Sequence, residues 1–325
     1  MTFKFDSFIN FLKKLKKYKA LSPLLNFGKR YIYNPYLRSR LVASDFPPEV
    51  WIENTNACNA RCIMCPREKL TRKQGFMDFS LYEKLIKEIS GVRDKVKRVH
   101  LHNYGEPLLD KDLPRKIKLA KDCGIKHTYI VTNGSLLTPE MSRQIIEAGL
   151  DEFKVSFYGT DQDTYNRTMR GLSFEKTLQN LKDFFKIRDE LGKGNPKIII
   201  QYLPSESNES KIEEFYELMR PLIRESTGDS LCLFSLHNYG DGKSYIKLGE
   251  IINTCNYPWR TIMILYDGKV VLCCMDYNGV QIVGDVNKST IEEIWNGEKY
   301  RKAREDFKKL RYKNYPVCIK CDLIR

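Results

Sequence analysis

Long apolar runs are missing from this 325-residue sequence, so we expect no membrane-spanning helix. No segment approaches the roughly 20 consecutive apolar residues that a helix needs to cross a bilayer. The first residues, Met1 to Asp6, also lack the apolar stretch and small-residue cleavage site of a secretory signal, which predicts a cytoplasmic location. Internal repeats and low-complexity tracts are missing too, which argues against a repeat architecture.

Acidic residues are fewer than basic ones, and the excess is concentrated at the N-terminus. The net charge is +14, and residues 1–45 carry ten Lys or Arg against two Asp, a net charge of +8. Apolar residues recur there at helical spacing: Phe5, Phe8, Ile9, Leu12 and Leu15. Such a basic amphipathic helix can bind an anionic membrane surface or an acidic partner through residues 1–20. The alternative is a helix that packs on its own body and exposes its lysines to water.

Cysteine, in contrast, is plentiful. Ten cysteines would suit a disulfide scaffold in a short secreted chain, whereas a long chain without a signal favours metal or redox chemistry in a reducing compartment. Seven of them fall into two groups: Cys58, Cys62 and Cys65 near the start, and Cys255, Cys273, Cys318 and Cys321 near the end. This clustering is the first indication of bound metal.

Strand and helix patterns alternate from residue 49 onward. Six strands are predicted, over 50–52, 96–101, 128–131, 153–157, 198–202 and 231–236. Helices are predicted after each of the first five, beginning at the cap Ser80, near 113, at Pro139 after the cap Thr138, near 173 and over 208–224. Six such units predict an α/β fold, a partial (β/α)6 TIM-like barrel with chemistry at the C-terminal ends of its strands.

The pattern changes after residue 239. Asp267-Gly268 between two apolar runs predicts a β-hairpin, and a helix is expected to begin near Ser289 to Glu292. We therefore predict three parts: a basic extension over 1–47, the barrel over 48–239, and a small C-terminal β-hairpin/helix iron–sulfur domain over 240–325.

The first cysteine group follows the first predicted strand. Its C-x₃-C-x₂-C spacing places three soft thiolates on one loop, which suits a 4Fe–4S cluster. Three ligands on four irons leave one iron open, as a metal site that engages a substrate requires. A structural zinc ion is the alternative for the spacing alone.

Over residues 48–325 the chain resembles the radical S-adenosylmethionine (SAM) superfamily, in which this motif also follows the first barrel strand. The resemblance implies that Cys58, Cys62 and Cys65 bind the catalytic cluster and that SAM chelates the open iron. It also implies that reductive cleavage of SAM yields a 5′-deoxyadenosyl radical that abstracts hydrogen. Met64 occupies the position of a residue that is often aromatic and touches the adenine.

Other residues match the family in order along the chain. Tyr104-Gly105-Glu106-Pro107 resembles the family's G-G-E-P stretch, which holds the SAM amino group, with Tyr104 in place of the first glycine. Glu106 keeps the acidic acceptor that an ammonium group requires. By the same resemblance, Ser156 is expected at the SAM ribose or carboxylate, and Arg170 at the SAM carboxylate.

The second cysteine group supplies four thiolates, enough to ligate a second 4Fe–4S cluster fully. The group resembles the SPASM/Twitch extension of the same family, and the single remaining C-x₂-C pair favours the one-cluster Twitch form. Cys274 adjoins Cys273 and is an alternative ligand, and a four-cysteine zinc site is the alternative metal. A fully ligated cluster passes electrons, which suits alcohol oxidation; a family member of similar spacing oxidises a ring alcohol of an aminocyclitol.

We therefore expect a radical SAM enzyme that oxidises or epimerises a carbinol carbon of a sugar, aminocyclitol or related metabolite. Its expected cofactors are SAM and two 4Fe–4S clusters. Its expected partners are a small-molecule or lipid-linked substrate and a reductant such as flavodoxin or ferredoxin, with no nucleic acid. The alternatives are a peptide or protein maturase and, in another class, a non-catalytic zinc-bearing nucleic-acid-binding protein.

Some polar residues remain open to two interpretations. Cys123 and Cys232 lie outside both groups and are either small core residues or hydrogen donors to a substrate radical. His102 either touches substrate or is a packed, hydrogen-bonded histidine. Asn133 is expected to serve its turn, and Gln201 is a weak candidate for the adenine site.

Overall fold

The computed structural model describes residues 34–205, 208–234, 255–319 and 321. The basic segment 1–20 lies outside this part of the chain, so its predicted membrane or partner contact stays a prediction. None of the described helices is both long and apolar enough to cross a bilayer.

Eleven strands occur within the described residues. Their bounds are β1 Glu49–Ile52, β2 Arg61–Cys62, β3 Arg98–His100, β4 Thr128–Thr132, β5 Glu152–Ser156, β6 Met169–Arg170, β7 Lys197–Tyr202, β8 Ser230–Leu233, β9 Thr261–Ile264, β10 Lys269–Val271 and β11 Ile282–Asp285. Each of the six predicted barrel strands overlaps an observed one, namely β1, β3, β4, β5, β7 or β8.

The same residues contain ten α-helices. Their bounds are α1 Asn34–Ser39, α2 Phe79–Ser90, α3 Leu113–Asp122, α4 Pro139–Glu147, α5 Gln162–Thr168, α6 Phe174–Glu190, α7 Ile212–Met219, α8 Tyr257–Arg260, α9 Ile291–Trp295 and α10 Glu298–Lys308.

Nine of the strands form one sheet in the order β11-β10-β9-β1-β3-β4-β5-β7-β8. The six barrel strands pair in parallel in chain order, with helices between them, as the alternating pattern predicts. The remaining strands, β2 and β6, form a separate antiparallel ribbon. The parallel sheet brings the loops after β1, β3, β4 and β5 to one edge.

The C-terminal hairpin is present, but its place in the sheet is not apparent from the sequence. β9 and β10 turn through Gly268, whose φ of 86° is the left-handed conformation that glycine adopts easily. β9 then pairs in parallel with β1, from Glu49 opposite Thr261 to Ile52 opposite Ile264. The hairpin therefore extends the barrel sheet, and β11, absent from the prediction, completes its edge. The domain boundaries at 47/48 and 239/240 stay predictions.

Two helix boundaries differ from the prediction. The cap of α2 is Asp78, whose carboxylate accepts a hydrogen bond from Ser80 N at 2.8 Å, so Ser80 lies inside the helix. The helix predicted over 208–224 is shorter, because α7 ends at Met219, two residues before Pro221. Arg220 still has helical angles, with φ −55° and ψ −40°, but Pro221 lacks the backbone N–H that would continue the helical hydrogen bonds, which accounts for the early end. The cap Thr138 is confirmed.

The barrel strands alternate between two kinds of face. One face is apolar, lies in the main core and includes Val50, Ile52, Val99, Ile130 and Phe153. The other face is polar and aromatic and includes Trp51, His100, His102, Tyr129 and Lys154. Since successive side chains point to opposite faces of a sheet, this second set lines the inside of the partial barrel.

Candidate functional site

The first cysteine loop runs from the end of β1 into the β2–β6 ribbon. In that ribbon Arg61 lies opposite Arg170 and Cys62 opposite Met169. The next residue, Ile63, donates its backbone N–H to Thr168 O at 3.1 Å. The ribbon therefore fixes the middle of the cysteine motif to the segment after β5.

The three thiols of this loop are half-buried and lie near one another. Cys65 N donates to Cys62 O at 3.1 Å, and Ala60 N donates to Cys58 Sγ at 3.4 Å. Burial raises the pKa of Cys65 to about 11, and burial and the neighbouring thiols also raise the pKa of Cys62. The thiols are therefore protonated unless a bound metal replaces the protons, as iron–sulfur ligation does.

A single zinc ion does not suit the cysteines as they are placed. In the part of the chain that the structure describes, no three His, Cys, Asp or Glu side chains converge closely enough to hold one metal ion. Zinc requires its sulfur ligands at about 2.3 Å from one point. A four-iron cluster binds each thiolate at a different iron and so accommodates a wider spacing.

The Tyr104-Gly105-Glu106 stretch packs directly against the segment that leads into Cys58. A Cβ atom on Gly105 would lie 2.2 Å from Thr55 O and 2.7 Å from Ala57 O, which are backbone atoms that cannot move aside alone. Glu106 N donates to Ala57 O at 2.8 Å. Only glycine allows this close approach, so the stretch supports the cysteine loop from behind.

Gly105→Ala is expected to push these two backbone segments apart. Overpacking of this kind costs on the order of 2 kcal/mol. We expect a lower thermal midpoint together with fewer irons per reconstituted chain. Gly194→Ala is the matched control, because nothing lies within 4 Å of its Cβ position. Equal iron content in the two variants would contradict the supporting role of Gly105.

The buried carboxylate of Glu106 has three donors within the chain. Its Oε1 accepts from Leu108 N at 3.0 Å and from Thr132 Oγ1 at 2.6 Å, and its Oε2 accepts from Asn133 N at 2.7 Å. Burial nevertheless raises the pKa of Glu106 to about 7. Glu106 therefore joins the loop after β3 to the end of β4, and its contact with a SAM amino group stays a prediction.

Asn133 has a role that the sequence did not indicate. Its Nδ2 donates to Asn59 Oδ1 at 2.9 Å, and Asn59 Nδ2 donates to Ser135 Oγ at 2.9 Å. Asn59 follows Cys58 directly, so the Thr-Asn-Gly turn after β4 holds the cysteine loop from a second side. A fixed cysteine loop keeps its thiols in place for a cluster.

Ser156 belongs to a short hydrogen-bonded chain across two strands. Tyr158 OH donates to Ser156 Oγ at 2.9 Å, and Gln201 Nε2 donates to Tyr158 OH at 2.8 Å. The thiol of Cys62 lies near enough to contribute to the raised pKa of Tyr158, after burial, which is the main cause. Ser156 is thus held by Tyr158, and its predicted SAM contact stays a prediction. Tyr158 is a residue that sequence reasoning missed.

The other two predicted SAM contacts lie in different surroundings. Met64 is buried and packs in the main core beside the cysteine loop. Arg170 is exposed, at the outer end of the β2–β6 ribbon. Their contacts with adenine and with the SAM carboxylate stay predictions.

The second cysteine group lines one apolar cavity. Its walls include Cys255, Cys273, Cys318 and Cys321, with Leu272, Met275, Phe307 and Val317 between them. Burial raises the pKa of Cys255 to about 12. Cys274 packs beside Met263, Leu265 and Val271, with its thiol 3.9 Å from Tyr257 OH, and is not among the residues that line the cavity. Four thiols around an apolar cavity fit a fully ligated cluster, with Cys273 rather than Cys274 on the wall.

The two cysteine groups are joined by a buried ion pair, here called the Glu53–Arg72 node. Arg72 Nη1 and Nη2 each donate to one Glu53 carboxylate oxygen at 2.8 Å, and Arg72 Nε donates to Tyr277 O at 2.7 Å. Glu53 also accepts from Tyr266 N at 3.1 Å and from Asn103 Nδ2 at 3.2 Å. The node connects β1, the segment after Cys65 and the loop after Cys273.

Comparison with protein families decides the identity. The model of the radical SAM superfamily matches residues 52–219, which is more than half of the chain. The chain belongs to the radical SAM superfamily. A second model, the SPASM iron–sulfur cluster-binding domain, matches residues 255–322. The predicted family, its SPASM-type C-terminal domain and the cofactors of this superfamily, 4Fe–4S clusters and SAM, are confirmed.

Two curated relatives of this radical SAM protein span most of its length. The tungsten-containing aldehyde ferredoxin oxidoreductase cofactor-modifying protein of Pyrococcus furiosus is 24% identical over 318 residues, covering 84% of this chain and 87% of the relative. The S-adenosyl-L-methionine-dependent 2-deoxy-scyllo-inosamine dehydrogenase of Niallia circulans is 23% identical over 273 residues, covering 83% and 91%.

Solved structures confirm the fold. BtrN in complex with AdoMet and 2-DOIA superimposes with a TM-score of 0.59 at 20% identity, over 85% of this chain and 92% of BtrN. Streptococcus suis SuiB bound to S-adenosylmethionine superimposes with a TM-score of 0.62 at 16% identity, over 99% and 82%. The partial TIM-like barrel predicted from the sequence is therefore the fold of this radical SAM protein.

Proposed function

We propose that this radical SAM enzyme oxidises a carbinol carbon of a sugar, aminocyclitol or related small metabolite. The observation that carries the proposal is the pairing of an open three-thiol loop with a closed four-thiol cavity in one chain. A cluster with four protein ligands has no open position for a substrate, so its role is to accept electrons. Oxidation of an alcohol needs such an acceptor after one hydrogen atom has been removed.

In this proposal Cys58, Cys62 and Cys65 hold the first cluster and leave one iron to SAM. The cluster and SAM, when bound, supply the 5′-deoxyadenosyl radical. The Gly105 backbone and Ser156 position SAM, with Met64 at its adenine and Arg170 at its carboxylate. The four thiols of the C-terminal cavity hold the second cluster: Cys255, Cys273, Cys318 and Cys321. The barrel interior holds the substrate and excludes water and oxygen.

The Glu106 carboxylate is proposed to accept a hydrogen bond from the SAM ammonium group. This interaction makes the affinity for SAM depend on pH. Because burial raises the pKa of Glu106 to about 7, the carboxylate is mostly protonated at pH 6 and mostly ionised at pH 8. Only the ionised form attracts an ammonium group strongly. We expect SAM to bind several-fold more tightly at pH 8 than at pH 6, measured by equilibrium dialysis under anaerobic conditions.

The control for this pH dependence is Glu106→Gln, which keeps the shape but cannot ionise. Its SAM affinity should be weaker at pH 8 and nearly flat between pH 6 and pH 8. A wild-type affinity that does not change over this range would remove Glu106 from the amino-group site.

One of the relatives supports small-molecule oxidation. The Niallia circulans relative is named for dehydrogenation of 2-deoxy-scyllo-inosamine, and the alignment covers nine-tenths of it. A second candidate is peptide modification, because SuiB bound to its precursor peptide SuiA superimposes over 97% of this chain with a TM-score of 0.62. The two candidates differ in the molecule from which hydrogen is taken.

The test traces the hydrogen atom that the enzyme removes from its substrate. The reconstituted enzyme is incubated with SAM and reduced flavodoxin or ferredoxin, and with sugars and cyclitols deuterated at their carbinol carbons. Deuterium in 5′-deoxyadenosine together with a ketone product supports oxidation. Deuterium transfer followed by solvent hydrogen in an inverted product indicates epimerisation instead. Transfer from a deuterated peptide and from none of the small molecules would replace the proposal by peptide modification.

A further inference from the structure

Arg67 lies at the end of the first cysteine loop, two residues after Cys65. The short 3₁₀ helix Pro66–Lys69 begins directly after Cys65, and Leu70 N donates to Arg67 O at 3.0 Å. Pro66 is buried, so this turn packs against the body of the protein. The backbone of Arg67 is therefore fixed beside the last of the three thiols.

The side chain of Arg67 turns back to the middle of the same loop. Its Nη1 donates to the backbone carbonyl of Ala60 at 3.4 Å. Ala60 N in turn donates to Cys58 Sγ at 3.4 Å. Cys62 and Cys65 lie between the two residues that the Arg67 hydrogen bond joins, and Cys58 contacts one of them. The guanidinium group therefore lies on the loop that carries all three thiols.

Most of the hydrogen-bonding capacity of this guanidinium group is not used by the residues that the structure describes. Arginine has five N–H donors, and Arg67 uses one of them in its contact with Ala60. Its Nε is buried and has no hydrogen-bond partner among those residues. Because a buried donor is costly until an acceptor completes it, this group suits the sulfur atoms of a cluster bound to the loop.

The positive charge of Arg67 also acts on the thiols. Burial is the largest influence on the pKa of Cys58 and of Cys65 and raises both, whereas the charge of Arg67 lowers both. A cation that lowers the pKa of a thiol stabilises its anionic form. Glu106 acts on Cys58 in the opposite sense. Arg67 therefore favours negative charge at the place where the first cluster is expected.

We propose that Arg67 raises the reduction potential of the first cluster. The inference rests on the proposed assignment of that cluster to Cys58, Cys62 and Cys65. In its reduction, flavodoxin or ferredoxin gives one electron to the oxidised cluster, so the negative charge of the cluster with its three thiolates increases by one. Nearby charge and hydrogen bonds to the sulfurs tune the potential of such clusters. Arg67 supplies both, which makes the cluster easier to reduce.

The reduction potential is measured by redox titration of the anaerobically reconstituted enzyme, without SAM or substrate. The signal is the electron paramagnetic resonance of the reduced cluster. The variant with Cys58, Cys62 and Cys65 all changed to Ala gives the signal of the second cluster, which is subtracted. All titrations are run at pH 8, where Glu106 is mostly ionised, so that its charge is the same in each sample.

Arg67→Met should lower the equilibrium constant for one-electron reduction of the first cluster about tenfold, which is a shift of about 59 mV to more negative potential. Arg67→Lys keeps the charge but presents a different set of donors, so its potential should lie between those of Arg67→Met and wild type. If Arg67→Met loses its iron, Arg67→Gln takes its place, because Gln is uncharged and still carries a donor for Ala60 O.

Arg61→Met is the matched control, because it removes the same charge from the same loop. Arg61 and Cys62 are consecutive residues of β2, so their side chains point to opposite faces of the ribbon, and Arg61 is exposed. Water and salt screen an exposed charge. The potential of Arg61→Met should therefore stay close to that of wild type.

An unchanged potential in Arg67→Met with full iron content would overturn the proposal, and so would an equal shift in Arg61→Met. Loss of iron in every Arg67 variant, Arg67→Lys included, would make Arg67 a structural residue and overturn it as well. Alcohol oxidation by the same samples tests the proposed reaction separately. The expected shift without oxidation disproves only the reaction, and oxidation without the shift disproves only the role of Arg67.

Discussion

Replacing Cys58, Cys62 and Cys65 together by alanine is expected to abolish SAM cleavage and to lower the iron content from about eight to about four per chain. The loss is complete because the radical originates at the iron that these thiolates leave open. The remaining irons belong to the cluster in the C-terminal cavity, whose four cysteines are untouched. Iron, sulfide and zinc analysis with an absorption spectrum, after anaerobic reconstitution, measures the change.

Cys123→Ala is the matched control for this loss. Cys123 lies at the C-terminal end of α3, outside both cysteine groups, and is half-buried like the predicted ligands. It should keep about eight irons and full SAM cleavage. Iron unchanged in the triple variant, or zinc without iron in the wild type, would contradict the assignment of the first cluster.

Local patterns were sufficient to predict the barrel. Each parallel strand is a short apolar run between a helix end and a turn, so β1, β3, β4, β5, β7 and β8 could be located from spacing, caps and glycines. The position of β9 in the sheet could not be predicted in this way. Its partner is β1, about 210 residues earlier in the chain, and both strands are apolar. The sequence of neither strand identifies the other as its pairing partner, because parallel pairing depends on the whole folded sheet.

The same distinction separates the predicted site residues from the missed ones. The cysteines were found because metal chemistry fixes their type and spacing along the chain. Asn133 serves its turn as expected, since Ser135 N donates to its Oδ1 at 2.9 Å. Its contact with Asn59 and the role of Tyr158 were not foreseen, because they depend on neighbours 74 and 43 residues away.

The Glu53–Arg72 node could not be predicted from the sequence for a further reason. Arg72 lies in a basic stretch that is typical of a solvent-exposed segment, and Glu53 is a single acidic residue directly after β1. In the fold Glu53 is fully buried, and the side chain of Arg72 is 10% exposed. A buried pair with five hydrogen bonds that also reach Asn103, Tyr266 and Tyr277 is suited to fixing the distance between two cysteine loops.

Arg72→Ala is accordingly expected to be among the most destabilising single substitutions in the chain. It leaves the buried Glu53 carboxylate without its cation, and removing one partner of such a pair costs about 3–5 kcal/mol. It also removes the contact to Tyr277 O in the loop after Cys273. We expect a lower thermal midpoint and faster amide hydrogen exchange over residues 276–281. Arg72→Lys keeps the charge but loses the two-pronged contact, and should fall between wild type and Arg72→Ala.

Arg188→Ala separates this local effect from general destabilisation. Arg188 forms an equally buried pair with Asp229, at 2.6 Å between Nη2 and Oδ2, on the far side of the barrel sheet. Its loss should lower the midpoint by a similar amount but leave exchange over 276–281 at the wild-type rate. Equal exchange in the two variants would mean that the node stabilises the fold as a whole. Faster exchange in Arg72→Ala alone would mean that Arg72 holds the second cysteine loop against the first.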